Sequence, residues 1–509
     1  MKFKLLYASP VSATFELDSA SIFFAPRRFD VFLDGKMVLQ GCQNNVFSLF
    51  RLAPNTNYSV RIDDGVLAFK TQEASLFLHS RDFQSLNGDD TLRLQTAIAL
   101  LPKGGVLIVD EGTYAVTSLF LKSDMTLYLE KGAVIEASLK IEDYPLMPAE
   151  KNRESGRRDI LCSWEGNPFP GKPALLNVFH AQNVSIIGQG CLDGKAEQGQ
   201  WWHDVKSLPW ARPNMIYIKD SSFVSLQGIT VRNSPSWTIH PYFSDNLKFL
   251  DLDVINPKDA PNTDGMDPES CQEVDIIGVR FSVGDDCIAL KSGKIDVGSY
   301  FKQPCRRIRI RNCHMQEGHG AVTLGSEAGA GVKELEVSRC LFTRTDRGLR
   351  IKSRRGRGKD SVFDGIEFSD IKMEGVLTPL VVNMFYFCDP DGKSDYVQSK
   401  QKLPVDDSTP RIGSFLFQRL ECRDCEWAFG VFYGLPEQPI GSITIKDSTF
   451  AMAKSASAGL PAMMLDLPKM SKAGFVFHHV YKVVYSNVKA EGNVGKTLAC
   501  SDVCVLENP

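Results

Sequence analysis

EVDIIGVRFSVGDD, residues 273–286, carries two signals at once. Its first half alternates apolar and polar residues around Val274 and Ile276, the pattern of a strand with one buried face. Gly278 interrupts it, a second short strand follows, and then Asp285 and Asp286 stand side by side. Adjacent acids repel each other, and Asp is depleted from strands. The same tripeptide occurs again at Gly88-Asp89-Asp90, where it precedes a helical pattern. There Leu94, Ala97, Ile98 and Leu101 fall at i, i+3, i+4 and i+7, one apolar helix face. Acids at that N-terminus act as cap and dipole partners. The second copy runs into the strand-like CIALKSG and has no such explanation.

Outward from 273–286 the strand–turn–strand text recurs. FVSLQGITVRNSP begins at Phe223, NLKFLDLDVINP at Asn246, RIRIRNCHMQEGHG at Arg307, ELEVSRCLFTRTDRG at Glu334 and GIEFSDIKMEGV at Gly365. With Val224, Leu247, Val274, Ile308, Leu335 and Ile366 as equivalent points, the steps are 23, 27, 34, 27 and 31 residues. Repeats of this size built from short strands predict a solenoid, here an all-β parallel β-helix, with coils stacked about 4.8 Å apart. The helical segment at 90–101 caps its open end. Residues 1–75 read as a separate small β domain, and 76–509 as the solenoid. Leu52-Ala-Pro-Asn-Thr-Asn-Tyr58 resembles the L-x-P-x-T-x-Y signature of fibronectin type III domains.

The 509 residues carry a net charge of −3, with 23% charged and 43% hydrophobic residues. That is ordinary globular composition and argues against a nucleic-acid partner. No apolar run reaches membrane-spanning length. The opening MKFKLLYASPVSATF is broken by Pro10 and reads as a strand rather than a signal peptide, so the expected location is cytoplasmic; a periplasmic or secreted location is the alternative if a leader is atypical or removed. The 13 cysteines show no disulfide framework and read as mostly buried thiols; a zinc site from Cys422, Cys425, Cys500 and Cys504 is the weaker alternative.

In a solenoid, residues one coil apart in sequence become neighbours. Asp264, in NTDG, precedes Asp285 and Asp286 by 21 and 22 residues; His319, in GHG, follows Asp286 by 33, and Lys352, with Arg350 two before it, by another 33. Singly, each is a turn or a solvated edge. Jointly they form one column of polar residues on four coils, which points to an active site. NTDG, GDD, GHG and RIK, in this order, resemble the signature motifs of the polygalacturonase family, glycoside hydrolase family 28. The preceding fibronectin-like domain resembles the family's bacterial exo-acting members.

That resemblance implies a right-handed parallel β-helix and hydrolysis of α-1,4-galacturonosidic bonds with inversion, without a cofactor or metal. It implies Asp285 as general acid, Asp264 and Asp286 activating water, and His319 bonding within the cluster. Glycoside hydrolysis needs one protonated and one ionised carboxyl, and clustered acids drive one pKa up. Arg350 and Lys352 suit an anionic sugar. Tyr386, Asn262, His240, Trp237 and Arg355 are further substrate-contact expectations, and Trp201 and Trp202 either stack on sugars or fill the solenoid. Arg354, Arg355 and Arg357 form either a solvated face or additional carboxylate subsites. Long segments at 136–180 and 388–412 predict loops that wall one end of the groove, hence exo action. The rival readings are an endo-enzyme, a hydrolase of rhamnogalacturonan or decorated pectin, a calcium-dependent pectate lyase and a non-catalytic glycan-binding solenoid.

Overall fold

The computed structural model describes residues 1–85, 88–151 and 159–507. Two antiparallel sheets form the first unit. Phe3–Ala8, Ser12–Leu17 and Val46–Phe50 make one; Lys36–Asn44, Phe24–Leu33, Asn57–Ile62 and Gly65–Lys70, in that spatial order, make the other. Phe15, Val31, Phe47, Val60 and Ile62 fill the space between them. In the LAPNTNY segment the Tyr58 hydroxyl accepts the Ala53 N–H at 2.8 Å, which pins that corner. Phe77–His79 already pairs with Gly105–Val109 of the next unit, so the architecture changes between residues 70 and 77.

From there the chain winds into a parallel β-helix. The register stacks Leu247 on Val274, Val274 on Ile308, Ile308 on Leu335 and Leu335 on Ile366. Alternate residues follow the period-2 rule. Val274 and Ile276 enter the apolar interior, while Asp275 points out and joins Lys248 and Arg309 in a charged ladder at 3.3 and 2.6 Å. The turn at Gly278 has φ +73°, and a Cβ there would lie 2.6 Å from the Val46 side chain. Glycine therefore serves both the turn and the close approach of the first unit.

Helix Thr91–Leu100 closes the N-terminal end, with Leu94, Ala97 and Ile98 buried in the same core that runs on to Tyr485. In the first GDD, Asp89 accepts the Thr91 N–H at 2.8 Å, and Asp90 holds Arg93 at 3.0 Å and the Ala115 N–H at 3.1 Å. It is local helix and coil punctuation. Among the described residues no helix is long and apolar enough to cross a membrane. Cys422 and Cys425 are buried on one strand, whereas Cys500 and Cys504 are exposed on the last.

Candidate active site

The second GDD follows Arg280–Ser282 and leads into Ile288–Leu290. The Gly265 N–H donates to the Asp286 carbonyl at 3.0 Å, and the His319 N–H to the Asp285 carbonyl at 3.0 Å. Coil stacking thus sets Asp264 beside Asp286 and His319 beside Asp285. Asp264, Asp285 and Asp286 each offer a carboxylate oxygen, all within 4.8 Å of one another.

Arg350 and Lys352 enter differently. The local coil step is 27 residues, from Val322 to Leu349, so Arg350 registers with Thr323 and Lys352 with Gly325, not with His319. Their side chains reach past the intervening coil. The Arg350 Nη1 and Lys352 Nζ atoms donate to the two oxygens of Asp286 at 3.1 and 2.7 Å. Gly320 leaves that path open: a Cβ there would lie 2.8 Å from Asp286 Oδ1 and 3.5 Å from the Arg350 Cβ.

The three acids have different surroundings. The Asp286 side chain is fully buried; burial works to raise its pKa, but Lys352 and Arg350 outweigh it and hold the carboxyl well below the usual range. Asp264, also buried, is pushed well above that range by burial and by Asp267, Asp285 and Asp286, with Lys291 opposing. Asp285 has a 23% exposed side chain and takes His319 Nδ1 at 3.2 Å. That hydrogen bond raises the His319 pKa against the effect of burial. Two cations favour the ionised form of Asp286, burial among acids favours the protonated form of Asp264, and Asp285 is the most exposed of the three. Such splitting is the arrangement that acid–base chemistry requires.

Several expected contacts are buried against protein partners. His240 is 2% exposed and bonds Glu269 at 3.0 Å, and with Trp164, Arg212 and Trp237 it lines a small cavity. Trp237 is buried between the Lys291 ammonium, 3.5 Å from its ring centre, and Trp164, stacked at 5.4 Å. Trp201 is wholly buried against Tyr144 and Trp210. Arg355 is also buried: it grips Glu437 at 2.6 and 2.9 Å and donates to the carbonyls of Tyr396, Val397 and Ser399. Arg354 and Arg357 hold Asp389 at 3.0 and 2.6 Å. The arginine run fastens the 388–412 segment rather than facing a polyanion. Tyr386 is half-buried, with Lys352 5.9 Å from its ring centre. Asn262 sits at φ +56° and accepts Arg212 at 2.6 Å.

The loops around the site come together. Glu165, from the 136–180 segment, and Asp389, from 388–412, meet on the Lys294 ammonium at 3.8 and 3.2 Å. Residues 152–158 of the first segment lie outside the described residues. A third loop went unread in the sequence: Met463 Sδ lies 2.7 Å from Arg350 Nη2, and Arg347 donates to the carbonyls of Leu460 and Pro461. Arg212, which holds Asn262 and the carbonyls of Pro235 and Pro261, was likewise missed. The sequence signal was a lone arginine two coils before NTDG. A second acid–histidine group, Asp159, His180 and Asp220, lies outside this site with Lys219 between its two acids.

The profile of glycosyl hydrolases family 28 matches residues 163–407, which contain all four motifs. A probable polygalacturonase of Vitis vinifera is 31% identical over 303 residues, 57% of this chain and 59% of that protein. Residues 163–407 thus form a glycosyl hydrolases family 28 region. Another relative, an endo-polygalacturonase of Pectobacterium carotovorum, is 28% identical over 312 residues, 58% of this chain and 72% of that one. The solved family 28 exopolygalacturonase of Yersinia enterocolitica superposes with a TM-score of 0.68 at 17% identity, covering 100% of this chain and 98% of its own. At that identity it speaks for the fold alone.

Proposed function

We propose that this chain hydrolyses α-1,4-galacturonosidic bonds of polygalacturonate and oligogalacturonates, removing units from a chain end. One observation carries the hydrolytic reading: Asp286 is gripped by two cations, within 4.8 Å of the more exposed Asp285 and of the buried Asp264. Asp285, the most accessible of the three, protonates the leaving oxygen. Asp286 takes a proton from a water that Asp264 helps to orient, and the water attacks the anomeric carbon. His319 hydrogen-bonds Asp285 and fixes its rotamer. Lys352 has donors left after its bond to Asp286, and these read the galacturonate carboxylate. Inversion follows from single attack by water. The carboxyl oxygens lie closer together than the roughly 6.5–9.5 Å usual for an inverting pair, so proton NMR of the first-formed anomer is the direct check; net retention overturns this part.

The exo reading rests on the two long segments that meet at Lys294 and so close that side of the site. The Pectobacterium relative, named for endo action, favours the second reading. Viscosity against reducing ends on polygalacturonate separates them. Steady release of one small product with slow viscosity loss supports exo action; rapid viscosity loss with early mixed oligomers overturns it.

A further inference from the structure

Behind Asp264 lies a second charged cluster that the hydrolytic scheme does not use. The Lys291 side chain is 5% exposed, and its ammonium sits in a cage. Asp267 stands at 3.2 Å, Glu327 at 3.4 Å and Asp264 at 4.0 Å, and the Trp237 ring closes the remaining side at 3.5 Å. Among the described residues neither carboxyl oxygen of the fully buried Asp267 has a hydrogen-bond partner, although the Lys291 ammonium pairs with it at 3.2 Å. The three carboxyls outnumber the one ammonium they share.

We propose that Lys291 is a positioning residue of the hydrolytic site: its caged ammonium, divided between Asp264 and Asp267, sets how firmly the acidic cluster keeps its proton. The inference rests on the reading of Asp264, Asp285 and Asp286 as the working acids.

The Lys291 side chain is 5% exposed, and among the described residues its ammonium is the one cation within 4.0 Å of the Asp264 carboxyl. Glu327 does not compete for the proton. Burial opposes its ionisation, but Lys291, Lys352, Arg357 and Lys294 together hold it well below the carboxylate range. Asp267 does compete. Burial pushes it up to about 7, against the pull of Lys291 and with Asp286 and Asp285 adding to the rise. Two neighbouring carboxyls that share one cation titrate in two steps that belong to the pair. Asp264 takes the upper step as long as Asp267 is present to ionise first. In the proposed scheme the protonated Asp264 carboxyl orients the attacking water, so the pair governs the basic limb of the pH profile, and Lys291 pulls the limb down toward neutrality.

Two substitutions give opposite signs. Lys291→Met removes the ammonium and moves the basic limb of kcat up, by about 1–3 pH units for loss of a charge at this range. Asp267→Asn removes the competitor at almost constant volume, lets Asp264 ionise at the lower step, and moves the limb down. KM stays within about twofold in both, since the Lys291 side chain is 5% exposed and that of Asp267 is fully buried. The Asp264 carboxyl is read independently of any substrate by 13C NMR titration of aspartate-labelled protein, assigned with Asp264→Asn. Opposite displacements of the Asp264 midpoint support the proposal even if galacturonan proves not to be the substrate. Displacements of one sign in both variants, or none beyond about 0.3 pH units, overturn it. Should Lys291→Met fail to fold, Asp267→Asn decides alone: a limb and midpoint unmoved or moved upward overturn the proposal, and a downward move supports it.

Discussion

Replacing Lys352 by Met tests what the cations of the RIK motif do. In the native site Asp286 is buried with no exposed side-chain surface, and Lys352 and Arg350 contact its two oxygens at 2.7 and 3.1 Å. Burial alone would raise this carboxyl; the two cations hold it down. An opposite charge at contact distance lowers a carboxyl pKa by about 1–3 units, each worth roughly 1.4 kcal/mol. Met keeps the length of the side chain and removes the charge, while Arg350 stays. The Asp286 carboxyl therefore rises, and the acid limb of kcat, set by ionisation of the base, moves up by about 1–3 pH units. Below the new limb the rate falls about tenfold per pH unit, while near neutrality much of kcat survives. The sign follows from linkage: a depressed carboxyl contributes stability above its unfolded pKa that is lost as pH falls through the folded one. The variant gives up part of that contribution, and its acid unfolding begins at higher pH than in the parent chain. The assay is reducing-end release from oligogalacturonate between about pH 3 and 8, with circular dichroism over the same range. An unmoved acid limb together with a raised KM would refute the reasoning, because it would mean that Lys352 serves substrate binding alone.

Other outcomes follow from the same geometry. Asp285→Asn lowers kcat by at least about 10²-fold with KM little changed, since it deletes a proton donor and almost no volume; activity within a few-fold of the parent, in a stopped reducing-end assay, contradicts its role. Asp89→Asn in the first GDD leaves kcat unchanged and costs at most about 1 kcal/mol in urea unfolding, the value of a helix-end hydrogen bond. Arg355→Met leaves Glu437 buried without its partner and lowers stability by about 3–5 kcal/mol; urea unfolding with normal stability but weakened galacturonate binding would return Arg355 to the groove.

The repeat was legible because its code is local. Val274, Ile308 and Leu335 each alternate with polar neighbours, and the register follows from that period. The acids were legible for a related reason: the steps from Asp264 to Asp286 and from Asp285 to His319 match the coil steps at those places. Lys352 shows where counting fails. Its 33-residue spacing looked like one coil, but the true step there is 27 residues, and the ammonium meets Asp286 across the intervening coil. The burial of His240, Trp237 and Arg355 was not legible because it depends on Glu269, Trp164 and Glu437. Those partners lie 29, 73 and 82 residues away in sequence, and no periodicity reports them.

The contact between the sandwich and the solenoid bears on how the chain comes apart. Solenoids are held together by nearest neighbours and fray coil by coil. Here Tyr7 bonds Ser185, Ser12 and Thr14 bond Gln227, Val46 packs on Leu250 and Ile277, and buried Glu16 gathers Arg311, Asn312 and Arg339. Those anchor points fall on six successive coils. The sandwich is a splint laid along them, so no one of the six can open without lifting it. The coils bearing Asp264, Asp285 and His319 lie within the splinted stretch, whereas those after about residue 414 have no such brace. Melting therefore starts at the C-terminal end and reaches the aspartates last, and backbone amide exchange should be slow across Gln272–Ile277 and fast across Leu498–Glu507.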